Sequence, residues 1–136
     1  GKPRIINYIG YPVNYGFIPK TLLPTSEGGD GDQLDILVFS QSPLQRGQVV
    51  EVKIIGMLKM KDKGLLDNKI LAILDDNSGF YRINSLNQLD NQYPGILEII
   101  RIWFSNYKET IPLIDGYEKK VKTIKLIEKS IKFYYE

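Results

Sequence analysis

The chain contains no cysteine and no histidine. Without cysteine there is no disulfide, no thiolate nucleophile and no zinc–sulfur site. Without histidine, a Ser-His-Asp triad, an imidazole general base and His-ligated zinc are excluded as well. No apolar run approaches the roughly 20 residues that a membrane-crossing helix needs. No basic segment followed by an apolar core opens the chain, so it shows no signal-peptide pattern. Net charge is also small: 18 Lys and Arg against 16 Asp and Glu leave +2, too little for a general pull on nucleic acid. Chemistry is left to Asp, Glu, Lys, Arg, Tyr and water, with the metals that oxygen ligands favour, Mg²⁺, Mn²⁺ or Ca²⁺.

What is present reads as one domain. The 136 residues suffice for a sizeable core, and 43% of them are hydrophobic. The first two thirds are β-branched and apolar in short runs, "LDILVF", "QVVEVKIIGMLKM" and "NKILAIL", which predict strands. Proline and glycine punctuate the segments between, as in "YPVNYGFIP" and "DKGLLDN". The period then changes. In "PGILEIIRIWFSNYKE", Ile96, Ile100, Trp103 and Tyr107 repeat at helical spacing beside Leu97 and Phe104. A second helix is predicted over roughly residues 117–134, with Val121, Ile124, Ile127 and Ile131 inward and a solvated lysine face. Strands first and helices after predict an α+β fold, a small barrel or bent sheet packed by helices.

Acidic residues are concentrated in two places. "GGDGDQLDILVF" carries Asp30, Asp32 and Asp35 at the mouth of a predicted strand. Asp30 and Asp32 share a face in extended backbone, but strict alternation sends Asp35 to the other. Convergence of all three therefore requires a bend or bulge before Asp35. Three converging carboxylates repel unless a cation or protons intervene. An EF-hand does not fit: counting from Asp30, Leu34 and Asp35 fall where a ligand and a Gly are needed, and Gln41 cannot replace the bidentate Glu. An acidic turn capped by aspartates fits the stretch equally well. In "KMKDKGLLDNK", Asp62 and Asp67 flank a predicted hairpin loop with Lys69 two residues on. Those residues make a salt bridge as readily as a ligand site.

Two further stretches supply polar groups. Tyr11 and Tyr15 in "YPVNYGFIPKTL" offer phenols, or serve as core aromatics. Tyr107 and Lys108 in "FSNYKET" end the first predicted helix, where a lysine also suits the helix dipole. Taken together with Arg4, two acidic hairpin regions and these cations are the ingredients of a metal–phosphate site. Divalent cations would offset the aspartates, and cationic side chains would hold a phosphate.

The chain resembles the family I inorganic pyrophosphatases. "DGDQLDILVF" is similar to that family's D-G-D-P-x-D-[V/I] signature, with Gln33 in place of Pro. The resemblance continues through "YPVNYGFIP", "LKMKDKGLLDNK" and "WFSNYKE" in the family's order. It implies an OB-like, mostly antiparallel five-stranded β-barrel with two packed helices over residues 1–136. It also implies hydrolysis of pyrophosphate to two orthophosphates with several Mg²⁺ per site, Mn²⁺ a substitute, and a metal-activated water as nucleophile. Asp30, Asp35 and Asp67 are implied to bind a first metal, with Asp35 bridging to a second. Asp62 and Asp67 are implied to bind one arriving with substrate. Asp32 would orient or deprotonate the water. Arg4, Tyr15, Lys69, Tyr107 and Lys108 would hold phosphates, and Tyr11 would line the site. Asp32, Asp35 and Tyr15 form the implied catalytic set. A cytoplasmic homo-oligomer, hexamer or dimer, without nucleic-acid or membrane partner, completes the implication.

The family pattern includes an N-terminal segment before the Arg4 position that these residues do not match. The absent Met favours an omitted segment; a chain truly lacking it is expected to have an exposed sheet edge and weakened catalysis. The competing readings are a catalytically weakened homologue and an OB-type module whose tyrosines stack on single strands. The small net charge and five aspartates weigh against the second.

Overall fold

The computed structural model describes residues 8–76, 79–80 and 82–136. Arg4 lies outside them. Among the described residues, six strands, β1 (Asn14–Phe17), β2 (Asp35–Phe39), β3 (Val52–Asp62), β4 (Leu65–Leu66), β5 (Lys69–Leu74) and β6 (Leu113–Lys119), form one open OB-like sheet. The same residues form three α-helices beside it: α1 (Leu86–Gln92), α2 (Ile96–Asn106) and α3 (Lys120–Tyr134). Among the described strands, β2 and β5 run parallel and the other strand pairings are antiparallel, while an isolated parallel bridge joins Gly29 to Leu66. β4 and β5 share one register along β3, since Lys61 faces Leu66 and Leu58 faces Lys69. They amount to one strand interrupted at Asp67 and Asn68. There the Asn68 carboxamide oxygen replaces a backbone acceptor for the Met60 amide at 3.0 Å. Counted this way, the expected five strands and the observed six describe the same sheet.

The inner strands are apolar on both sides because both sides are covered. On one face Leu37, Phe39, Ile55, Leu58, Leu71 and Ile73 meet Leu86 and Leu89 of α1 and Ile100, Trp103 and Phe104 of α2. On the other, Ile36, Val38, Met57, Ile70 and Ala72 meet Leu126 and Ile127 of α3. This is why "LDILVF" and "NKILAIL" show near-continuous hydrophobicity rather than alternation.

Three expectations are corrected. α1 is a third helix that the hydrophobic period misses, being only two turns long. Its signal was the pair Ser85 and Gln88, three apart: the Ser85 hydroxyl accepts from the Gln88 amide at 3.1 Å. The second predicted helix starts late, because Leu113–Lys119 pairs with β3 as β6. Finally, the inward stripe of α3 is only half the predicted one: Ile127 packs against the core and Ile124 is half-buried, but the outer two positions turn away. Val121 is 67% and Ile131 40% exposed, whereas Thr123 and Ser130 are fully buried. Their small side chains let the helix lie close to the sheet, and Thr123 satisfies its hydroxyl by donating to the Lys119 carbonyl at 2.9 Å. "YPVNYGFIP" also contains β1, pinned by Asn14, whose amide nitrogen donates to the Val38 carbonyl and the Ser40 hydroxyl, both at 2.8 Å.

Candidate active site

The parallel pairing of β2 with β5 sets Asp35 directly beside Lys69 at the starts of both strands. Both continue the face that carries Leu37 and Leu71 towards α2, at the end where the core gives way to an open cleft. The Lys69 ammonium donates to Asp35 Oδ2 at 2.8 Å, Asp67 Oδ1 at 2.8 Å and the Tyr15 hydroxyl at 3.0 Å. That uses all three of its donors. At 1% exposure it is a buried charge that its three partners satisfy. Burial favours the neutral amine, but the facing oxygens of Tyr15, Asp35 and Asp67 outweigh it, so Lys69 is held protonated well above the ordinary lysine range. Burial pushes the Tyr15 phenol up, with Lys69 only partly offsetting it. Burial likewise raises the Asp67 carboxyl; Lys69 opposes that and the neighbouring Asp35 charge adds to it.

Asp30 and Asp32 come from the β1–β2 connection. The Ile18 amide donates to the Leu34 carbonyl at 2.9 Å, and Leu23 and Asp32 are joined the same way at 3.1 Å. Thr21 sits buried between, donating to Ile18 at 2.6 Å and accepting from Leu34 at 3.1 Å. The required bend lies at Gly31, whose φ is +80°, between the first two aspartates and not immediately before Asp35. Asp30 closes it as an Asx turn, accepting from the Asp32 amide at 3.0 Å. Leu34 then buries inward, so Asp30, Asp32 and Asp35 all face one cleft. The Leu66 amide donates to the Gly28 carbonyl at 2.9 Å, which ties this loop to the Asp62–Asp67 hairpin.

The cleft has a volume of about 830 Å³. Its walls include Tyr11, Tyr15, all five aspartates, Lys69 and Lys108. Lys108 donates to Asp62 Oδ2 at 2.7 Å. Partial burial opposes its charge, but Asp62 and the Tyr107 phenol outweigh it and raise its pKa. Tyr107 itself is not on the wall. It is buried, stacked on Trp103 at 4.7 Å, and reaches the site through Lys108, whose ammonium lies 5.3 Å from its ring. Tyr11 packs at a tilt between Tyr15 at 4.8 Å and Trp103 at 4.6 Å, which backs the wall with aromatics. Two cations that sequence reasoning missed, Arg46 and Lys63, line the same cleft. Each precedes a glycine at a turn, and that dipeptide was the only signal.

The donor set suits a hard divalent cation, since it offers carboxylates and no nitrogen or sulfur ligand. Asp62 Oδ1 is buried and has no hydrogen-bond partner. Such an orphaned carboxylate oxygen is costly unless a cation meets it. Among the described residues, no three carboxylates are close enough to enclose an ion as they stand. Lys69 and Lys108 hold their oxygens instead.

The family model for inorganic pyrophosphatase matches residues 2–135. An inorganic pyrophosphatase of Helicobacter pylori is 36% identical over 132 residues, which cover 91% of this chain and 70% of that protein. The mitochondrial inorganic pyrophosphatase of Saccharomyces cerevisiae is 33% identical over 151 residues, covering 95% and 49%. Among solved structures, the type I inorganic pyrophosphatase of P. falciparum superposes with a TM-score of 0.86 at 34% identity, over 99% of this chain and 48% of that one. The H. pylori enzyme gives 0.84 at 32%, over 98% and 78%. This chain thus spans about half of some relatives and over two thirds of others. With the signature aspartates, the sheet and the matched length in agreement, the chain belongs to the family I inorganic pyrophosphatases.

Proposed function

We propose that this chain hydrolyses inorganic pyrophosphate to two orthophosphates and requires Mg²⁺. The observation that carries the reading is the cleft itself: five carboxylates from two separate stretches of chain line it, and two of them, Asp35 and Asp67, hold one buried, fully paired lysine. Asp30, Asp35, Asp62 and Asp67 would hold Mg²⁺, with the orphaned Asp62 oxygen among its ligands. Bound there, Mg²⁺ would offset phosphate charge and make the attacking water more acidic.

The remaining work falls to the chain's own groups. Asp32 is exposed and is free to orient the water and take its proton. Lys108 sits at the cleft wall, where its charge stabilises a departing phosphate. Lys69 has no donor to spare, so it grips a phosphate oxygen only by releasing Asp35, Asp67 or Tyr15. Tyr15 holds Lys69 in place; its raised pKa keeps the phenol neutral, so it can donate to a phosphate in turn. Tyr11 and Tyr107 support these groups through their ring packing, and Arg4 belongs to the same proposal as a phosphate ligand.

Residues 1–136 are proposed to form one pyrophosphatase domain. A cytoplasmic homo-oligomer, dimer or hexamer, is proposed on family likeness; exposed Ile99 and Ile102 on α2 offer apolar surface for it. Sedimentation and cell fractionation test both statements. For the activity, phosphate release from pyrophosphate is measured with Mg²⁺ and with EDTA. Mg²⁺-dependent release is expected, and its absence rejects the reading.

A further inference from the structure

Lys63 and Gly64 close the β3–β4 hairpin, and both have positive φ, 53° and 82°. This is the pattern of a two-residue type I′ turn, whose first position suits Asn, Asp or Gly. A lysine there carries backbone strain that those residues avoid. Lys20 has the same conformation, with φ of 59°, yet does not line the cleft, so the backbone alone identifies nothing. Position and pairing set Lys63 apart. It follows Asp62 directly and lines the cleft that holds all five aspartates. Lys69 and Lys108 are both held by carboxylates there. Among the described residues, Lys63 has no hydrogen-bond or ion-pair partner.

We propose that Lys63 is a phosphate-binding residue at the mouth of the cleft, contacting pyrophosphate as it enters and orthophosphate as it leaves. The proposal rests on the pyrophosphatase reading above. The chemistry is that of supply and demand for donors: a polyanion needs several, and Lys69 has none uncommitted. The Lys63 ammonium offers three on a flexible stem. Asn at this turn would relieve the strain and lose the charge, so strain and function pull in opposite directions. Arg46 also lines the cleft.

That opposition supplies the test. Lys63→Asn and Lys63→Arg are compared with the unmodified chain for Tm, for kcat and KM at saturating Mg²⁺, and for calorimetric binding of imidodiphosphate, a non-hydrolysable analogue. Relief of strain in Lys63→Asn should raise Tm by about 2–5 °C. The same variant should raise KM and weaken analogue binding about tenfold, the scale of one charge-assisted contact, with kcat within about twofold. Lys63→Arg should restore analogue binding to within about threefold, because it keeps the charge. Unchanged KM and analogue affinity in Lys63→Asn would overturn the proposal. So would a loss of affinity that accompanies a fall in Tm and that Arg does not restore, since that marks a structural role. Failure of the unmodified chain to hydrolyse pyrophosphate would reject the activity, while the analogue titration would still decide the role of Lys63.

Discussion

Replacing Lys69 with Met removes a charge but keeps most of the side-chain volume, so it isolates electrostatics from packing. The Lys69 side chain is 2% exposed, while the Asp35 and Asp67 side chains are 27% and 14% exposed. Its removal leaves two neighbouring, half-buried carboxylates without a counter-charge and the Tyr15 hydroxyl without its donor. Breaking a fully buried pair costs about 3–5 kcal/mol. The residual exposure of both carboxylates places the expected loss near the low end, about 3 kcal/mol, or roughly 10 °C in Tm for a chain of this size. The loss has a pH signature. Asp67 already has a raised pKa, and without Lys69 it rises further. A carboxyl whose folded pKa is raised is penalised above that pKa and relieved as pH falls through it. Urea unfolding in EDTA should therefore show the deficit at pH 8 and a smaller one at pH 5, and Mg²⁺ should recover part of it at pH 8. A deficit that is equal at both pH values, or below about 1 kcal/mol, would refute the claim that Lys69 is the counter-charge holding these aspartates together.

Asp35→Asn should leave Tm nearly unchanged, because Lys69 retains Asp67, while phosphate release falls by at least about 100-fold; near-normal turnover would contradict a metal-holding role. Gly29→Ala should destabilise the aspartate loop, since an added Cβ would lie 2.4 Å from the Leu23 carbonyl oxygen. The expected cost is about 1–3 kcal/mol, with weaker Mg²⁺ binding by calorimetry; unaltered stability and binding would show that the loop yields freely. Burial and the nearby Glu98 charge raise the Tyr117 phenol, which donates to the Leu97 carbonyl at 2.6 Å. The unfolded chain then ionises first, so stability should fall above pH about 10, by up to about 1.4 kcal/mol per pH unit for each such tyrosine. Tyr117→Phe should flatten that decline in alkaline urea titrations, and an unchanged slope would count against it.

How much was legible depended on range. Local patterns sufficed for β2, β3, β5 and α2, because burial on both sheet faces leaves long apolar runs and because Ile96, Ile100 and Trp103 keep helical period. Ser85 and Gln88 were readable as a cap for α1, but two turns are too few for periodicity to register. β6 and the start of α3 were misjudged because the sequence does not say which strand will pair with Leu113–Lys119. The inward face of α3 was misread for a related reason. Apolarity favoured Val121 and Ile131, whereas close approach to the sheet required the small Thr123 and Ser130.

By themselves, the residues determined the chemistry available: no thiol, no imidazole, and five aspartates in two short stretches with lysines nearby. They also carried the motifs from which the family was recognised. Tertiary structure alone decided how those groups are disposed. Parallel pairing of β2 with β5, distant in sequence, is what sets Lys69 against Asp35. The Gly31 turn and the buried Leu34 are what aim three aspartates one way. Tyr107 was carried into the core by stacking on Trp103, and Lys63 was brought to the cleft by a hairpin. Composition fixes which ions a site can attract, but only the packing of separate chain segments fixes which charges face each other and which are left free.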